Sequence, residues 1–244
     1  MDFTLVTCSY NTPEITLNML KSWLFKHPIE KTNLVLMENS TNEDTANILS
    51  SLGIPFYRRP STTHSIGVNE ALKLCKTKYA LLVDTDILFN KNIIPLLDKF
   101  ISTNYTLLGE RCADRGQFHL FPRIHPWFCF INIEHLNKFG ISFHDQKRID
   151  ETNSNQFFQH VPLAPNNENT KYDVGATMYE DVVNSGLKIG NSKFDDVWFT
   201  HYEGMSWYQK TGNALLSKIR EERLTHYLRT VKTFEHIELR GRFV

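Results

Sequence analysis

Two aspartates stand two residues apart at the end of an apolar run, in Tyr79-Ala80-Leu81-Leu82-Val83-Asp84-Thr85-Asp86-Ile87-Leu88-Phe89. Such a run has the character of a strand covered on both faces. In an open α/β sheet, ligands bind at the carboxyl ends of the strands. Two carboxylates there repel each other unless a cation neutralises them. Hard oxygen ligands with open positions suit Mg²⁺ or Mn²⁺ bridging to phosphates. Asp-x-Asp is a short pattern, and Asp is also common where a strand turns into solvent. On these residues alone the ligand site and the solvated turn are equally good readings.

The elements that must position this pair are legible from periodicity. Phe3–Cys8, Leu34–Met37, Ile54–Tyr57 and Tyr79–Val83 read as buried strands. Between them lie helical segments: one opened by Thr12-Pro13-Glu14, one over Thr45–Leu52 closed by Gly53, and one carrying Val68, Ala71, Leu72 and Cys75 on a face. Proline is preorganised for the first helical position, and glycine suits the position after the last. Strands alternating with helices predict βαβ units and a parallel sheet. Further on, Asn92–Ile101, Asp173–Ser185 and Asn213–Tyr227 read as helices, and Thr106–Gly109 and Trp127–Ile133 as strands. Ser142–Lys171 is polar and asparagine-rich and reads as a long loop.

The 244 residues carry 27 Lys plus Arg against 27 Asp plus Glu, with 41% apolar and 12% aromatic residues. These are globular proportions, which excludes a disordered, collagenous or coiled-coil chain. Zero net charge argues against a chain built to grip duplex nucleic acid. Met1–Val6 lacks a basic leader region, and no apolar run has membrane-spanning length. Cys8, Cys75, Cys112 and Cys129 are scattered, so reduced thiols in a cytoplasmic chain are expected. The segment from Lys218 to Arg242 is mildly basic; a solvated face is the commoner reason for such a pattern, an anionic contact the other.

Four segments in order carry a resemblance. They are Val6-Thr7-Cys8-Ser9-Tyr10-Asn11-Thr12-Pro13-Glu14, Met37-Glu38-Asn39-Ser40-Thr41-Asn42-Glu43-Asp44, His64-Ser65-Ile66-Gly67-Val68-Asn69-Glu70-Ala71-Leu72 and Asp84-Thr85-Asp86. Together they resemble the nucleotide-sugar transferases of the GT-A fold, most closely the family-2-like glycosyltransferases. The resemblance covers residues 3–89 well and is weak beyond them. It implies an α/β, Rossmann-like three-layer sandwich with a mostly parallel central sheet. It also implies a catalytic domain over 1–212, with a nucleotide-sugar half to about residue 110 and an acceptor half from about residue 111, then a helical extension over 213–244.

The resemblance assigns roles by position. Thr7, Ser9 and the backbone near Tyr10 would line the base and ribose pocket. Glu38, standing where Asp is usual, would accept from the base or ribose. Asn69 would hold the first motif acid or a phosphate. Asp84 would face ribose and metal, and Asp86 would coordinate the metal. His201, in Trp198-Phe199-Thr200-His201-Tyr202-Glu203-Gly204, would be the third ligand, and its imidazole favours Mn²⁺ over Mg²⁺. A satisfied surface or core histidine is the equal alternative for it.

An inverting transfer needs a base for the acceptor's proton. Asp173 is the first choice and Asp181, of the Glu180-Asp181 pair inside the following helix, the second. Asp173 would serve equally well as a helix N-cap. Trp127, Phe128 and Trp207 are aromatic candidates for acceptor contact, although large apolar side chains are more often core. The 142–171 loop is a candidate lid. The expected activity is metal-dependent transfer of a sugar from a nucleotide diphosphate, UDP by default, to a hydroxyl acceptor with inversion. The acceptor class stays open among glycan, protein, small molecule and modified nucleobase, as does the oligomeric state. The rivals are a nucleotidyltransferase, disfavoured because Cys8–Glu14 has neither glycine nor a basic residue, and a non-catalytic nucleotide-sugar-binding module.

Overall fold

A computed structural model describes residues 3–112, 121–154, 173–194, 196–202 and 214–244. Strand β1 (Phe3–Ser9) leads through α1 (Pro13–Lys26), β2 (Asn33–Glu38), α2 (Asp44–Ser51), β3 (Tyr57–Arg58) and α3 (His64–Leu74) to β4 (Tyr79–Val83). There follow β5 (Ile87–Phe89), α4 (Ile94–Thr103), β6 (Leu107–Arg111), β7 (Ile124–Asn132), α5 (Ile133–Phe139), α6 (Gln146–Ser154), α7 (Ala176–Asn184), β8 (Ile189–Asn191), β9 (Phe199–His201) and α8 (Ala214–Val231).

Seven strands form one sheet in the order β3-β2-β1-β4-β7-β6-β8. Only β7 runs against its neighbours; the other pairings are parallel. Side chains alternate across the pleat, so each strand feeds two cores. Leu5, Leu36, Leu81, Val83, Phe128 and Phe130 meet Trp23 of α1, Leu49 of α2 and Phe100 of α4 on one face. Val6, Val35, Met37, Leu82, Cys129 and Ile131 meet Val68 of α3, Leu136 of α5 and Met178 of α7 on the other. The result is the expected three-layer sandwich.

Several expectations shift: β7 begins at Ile124 rather than Trp127, and α7 at Ala176 rather than Asp173. The third strand is Tyr57–Arg58 rather than Ile54–Tyr57. Pro55 has no N–H to give a ladder and restricts the residue before it, so Ile54 packs into the core instead. The polar stretch from Ser142 contains α6, opened by Asp145, whose Oδ1 accepts from the Arg148 N–H at 3.0 Å. Residues 155–171 of the proposed lid lie outside the described residues.

Beyond α8, the tail returns to the start of β2. Val244 exchanges backbone hydrogen bonds with Thr32 and Leu34, and the Arg242 guanidinium donates to the carbonyls of Ile29 and Glu30. Arg240 donates to Ser51 O. These two arginines fasten the tail to the body, which answers part of the basic pattern. No helix among the described residues is long and apolar enough to cross a membrane.

Candidate active site

Strand register assembles the site. Ser9 pairs with Glu38, and Val6 with Leu82, so β1, β2 and β4 all end on the same edge of the sheet. Asp84 follows β4 directly, and its N–H donates to Trp127 O on β7 at 3.0 Å. Asp86 follows two residues on and leads into β5. A two-stranded antiparallel ribbon pairs Ile87 of β5 with His201 of β9, and the Tyr202 N–H donates to Asp86 O at 2.9 Å. His201 is therefore brought beside Asp86 from 115 residues away in the chain.

Ligand-capable atoms of Asp84, Asp86 and His201 lie within 4.8 Å of one another. His201 Nε2 is 3.3 Å from Asp86 Oδ1, and His64 Nε2 is 3.5 Å from Asp84 Oδ1. Asp86 is buried and Asp84 half-buried. Neither Oδ1 atom accepts a hydrogen bond among the described residues. Burial pushes the Asp84 carboxyl pKa up; His64 opposes this and Asp86 adds to it. The same charge, after burial, keeps the Cys8 thiol protonated. Orphaned, buried carboxylate oxygens beside an imidazole fit a divalent cation.

The His201 ring stacks on Trp127, with centroids 4.8 Å apart and planes at 27°, and His125 also stacks on Trp127 at 5.2 Å. Trp127 is thus the wall behind His201, while Phe128 is core, stacked on Phe199 at 4.3 Å. Trp207 lies outside the described residues.

Near the nucleoside end the expected residues divide. Tyr10 is exposed, and Asn11 beside it adopts φ 53°. That conformation is held by bonds across to the next loop: the Asn11 N–H donates to Ser40 Oγ at 2.8 Å, and Asn11 Oδ1 accepts from the Thr41 N–H at 3.2 Å. Ser9 is fully buried, its hydroxyl 2.7 Å from Thr16 Oγ1, and Thr7 is fully buried as well. Glu38 has no exposed surface; one oxygen accepts from the Ser40 N–H at 2.8 Å and the other from Arg58. With both oxygens engaged, Glu38 shapes the turn after β2 and has no face to offer a base or ribose. Gly67 allows that turn to sit against α3: a Cβ there would come within 2.2 Å of Asn39 Nδ2. Asn69 Oδ1 accepts from the Phe143 N–H at 3.1 Å, which ties α3 to the chain beyond α5 rather than to Asp84.

The two candidate bases also separate. Asp181 Oδ1 accepts from Arg148 at 2.7 Å, a link between α6 and α7. Asp173 Oδ2 accepts from Arg123 Nη2 at 2.8 Å, and its Oδ1 from the Val174 N–H at 2.7 Å. Burial lowers the pKa of the Arg123 guanidinium, and the charges of Asp173 and Asp84 both oppose this, so Asp173 shares a charge neighbour with Asp84. Asp173 precedes α7 but leaves its N-cap position to Gly175. Arg123 carries no recognisable motif; His64 opens a motif segment and Trp127 is an aromatic candidate in the sequence, but their contacts with Asp84 and His201 are not written there. Only the fold reveals them.

The family model for glycosyl transferase family 2 matches residues 4–161. Among solved structures, S. aureus TarS is similar at TM-score 0.53 and 14% identity, over 86% of this chain and 38% of that one. Residues 1–349 of TarS in complex with UDP give 0.53 and 17%, over 86% and 63%. The mannosyltransferase PcManGT from Pyrobaculum calidifontis, in complex with GDP-Man and Mn²⁺, gives 0.56 and 12%, over 82% and 56%. The chain therefore spans less than two thirds of these proteins' lengths, and at such identities the likeness is one of fold. No curated protein matches significantly in sequence.

Proposed function

The chain belongs to glycosyl transferase family 2, and from that premise we propose that it transfers a sugar from a nucleoside diphosphate to a hydroxyl acceptor, with a divalent cation and with inversion. The observation that carries the reading is the convergence of Asp84, Asp86 and His201 within 4.8 Å at the carboxyl edge of the sheet. Asp84, Asp86 and His201 would hold Mn²⁺, or Mg²⁺ less well given the imidazole. When bound, the ion supplies charge neutralisation for a departing diphosphate.

The chain's own residues do the rest. The Tyr10–Asn11 loop and the Ser40–Thr41 turn, clasped to each other, form the floor on which a nucleoside would rest. Thr7, Ser9 and Glu38 support that floor from below, and Asn69 braces the helix beside it. Asp173 is the base: it accepts the acceptor's proton as the acceptor oxygen bonds to the anomeric carbon from the face opposite the leaving diphosphate, which inverts that centre. Asp181, which Arg148 engages in a link between α6 and α7, stays the second choice. UDP is the first nucleotide to test, because the TarS relative was crystallised with UDP. GDP-mannose belongs in the same screen, because PcManGT was crystallised with it and Mn²⁺. The four free cysteines agree with a reducing, cytoplasmic setting.

The test is a donor screen by released nucleoside diphosphate with UDP-glucose, UDP-GlcNAc and GDP-mannose, each with Mn²⁺, Mg²⁺ or chelator. Metal-dependent release from one donor, lost in Asp86→Asn, is the expected result. Release that is indifferent to chelator would refute the metal reading.

A further inference from the structure

Arg123 precedes β7 and belongs to no motif, yet its side chain is only 7% exposed. Burying a guanidinium is costly unless its donors are well used. Here Nη2 donates to Asp173 Oδ2 at 2.8 Å and Nη1 to Val174 O at 2.6 Å, while Nε has no partner among the described residues. Both bonds therefore go to one two-residue step, the turn that carries Asp173 into α7. An arginine kept only to knit the core would be expected to spread its bonds over several elements.

We propose that Arg123 is the positioning residue for Asp173, fixing the direction of its carboxylate; this rests on the reading of Asp173 as the base. The fork grips the carboxylate with one arm and the backbone of the next residue with the other, so the side chain cannot swing without moving the turn. The Val174 N–H holds the second oxygen. A carboxylate offers about four lone-pair sites. Two are taken by these bonds, and the others stay available to an acceptor hydroxyl on a side chain that is 42% exposed. Lysine, with a single point-like donor centre, cannot reproduce the fork.

The experiment compares wild type, Asp173→Asn, Arg123→Lys and Arg123→Met with the donor selected in the screen above, reading kcat, donor KM, UDP affinity with Mn²⁺ and thermal midpoint. Misplacing a reacting group by about 1 Å costs on the order of a hundredfold in rate. The expected result is a kcat loss of about that size in Arg123→Met and a smaller loss, at least about tenfold, in Arg123→Lys, with donor KM and UDP affinity within about threefold of wild type. Inactive Asp173→Asn together with a folded Arg123→Met of near-normal kcat overturns the proposal alone. Should Arg123→Met not fold, Arg123→Lys decides by the same criterion. Normal turnover in Asp173→Asn, or none in wild type with any donor, removes the base reading and this inference with it.

Discussion

His27 is the residue on which acid should act first. It is fully buried at the end of α1, stacked on Trp23 at 3.8 Å and edge-on to Phe89 at 5.4 Å. Its Nε2 accepts from the Ile93 N–H at 2.9 Å, and its Nδ1 lies 2.7 Å from Trp23 O. That pairing requires the neutral ring with the proton on Nδ1. Burial lowers its pKa from 6.5 to about 4, with the Trp23 carbonyl opposing in part. Above pH 6.5 neither folded nor unfolded chain is protonated there, and the stabilisation is complete. Between about 6.5 and 4 the unfolded chain takes the proton and the folded one does not, so stability falls as pH falls. At about 1.4 kcal/mol per pH unit, the loss by pH 4.5 is about 2–3 kcal/mol and levels off at about 3 kcal/mol below pH 4.

The consequence reaches the site. Ile93 and Phe89 flank the end of β5, and β5 with β9 carries Asp86 and His201. The measurement is urea unfolding of wild type and His27→Gln at several pH values. Gln removes the titration, so carboxylates common to both proteins cancel in the difference. The variant should be less stable near pH 7.5 by about 1–2 kcal/mol, the scale of a disturbed buried polar pair. The difference should shrink and then change sign toward pH 4.5. A difference constant within about 0.5 kcal/mol across that range would show that the folded chain accepts the proton freely, and the neutral-ring account would be wrong.

Other expectations concern the site itself. Asp86→Asn should abolish the Mn²⁺-dependent part of UDP binding in calorimetry while leaving the thermal midpoint near wild type or above it, because one of two repelling carboxylates is neutralised. Trp127→Leu removes the face against which His201 stacks and should weaken Mn²⁺ by about 10–100-fold, the range for groups that orient a ligand; unchanged affinity would mean that the ribbon alone orients the histidine. Gly67→Ala should cost about 1–3 kcal/mol by overpacking against Asn39, and Asn39→Ser in the same chain should recover most of it. Arg58→Met leaves the Glu38 carboxylate buried without its ion pair and should lower the urea midpoint; if it instead changed UDP affinity alone, Glu38 would belong to the pocket after all.

What could be read from the chain alone follows a physical divide. Pro13 at the first helical position and the doubly buried run Tyr79–Val83 are local signals that place the start of α1 and all of β4, and Gly186, left-handed at φ 66°, places the end of α7, whose start at Ala176 falls three residues after Asp173. Where a local signal was overridden, the cause is also local. Pro55 shortens β3, and the Asp145 cap starts a helix inside a stretch whose composition argues for a loop. Polarity marked that stretch as exposed, which is true of much of α6, but exposure does not decide conformation.

The site divides in the same way. Asp84 and Asp86 are legible because one strand end carries both, and a two-residue spacing is enough to imply repulsion and a cation. Glu38 was legible as a strand-end acid but not as a buried one, since only the fold brings Arg58 across from β3 to occupy it. His64 reaches Asp84 from the start of α3, and Trp127 on β7 and Arg123 just before it are placed by sheet order, with β7 inserted antiparallel between β4 and β6. No spacing in the sequence encodes that insertion. It places Trp127 at the end of β4, whose following aspartate donates its N–H to the Trp127 carbonyl, and it starts β7 one residue after Arg123. The one reversed strand of the main sheet is therefore what brings Trp127 to the Asp84 end of β4 and Arg123 to the Asp173 turn, and the proposed orienting residues lie on it or beside it.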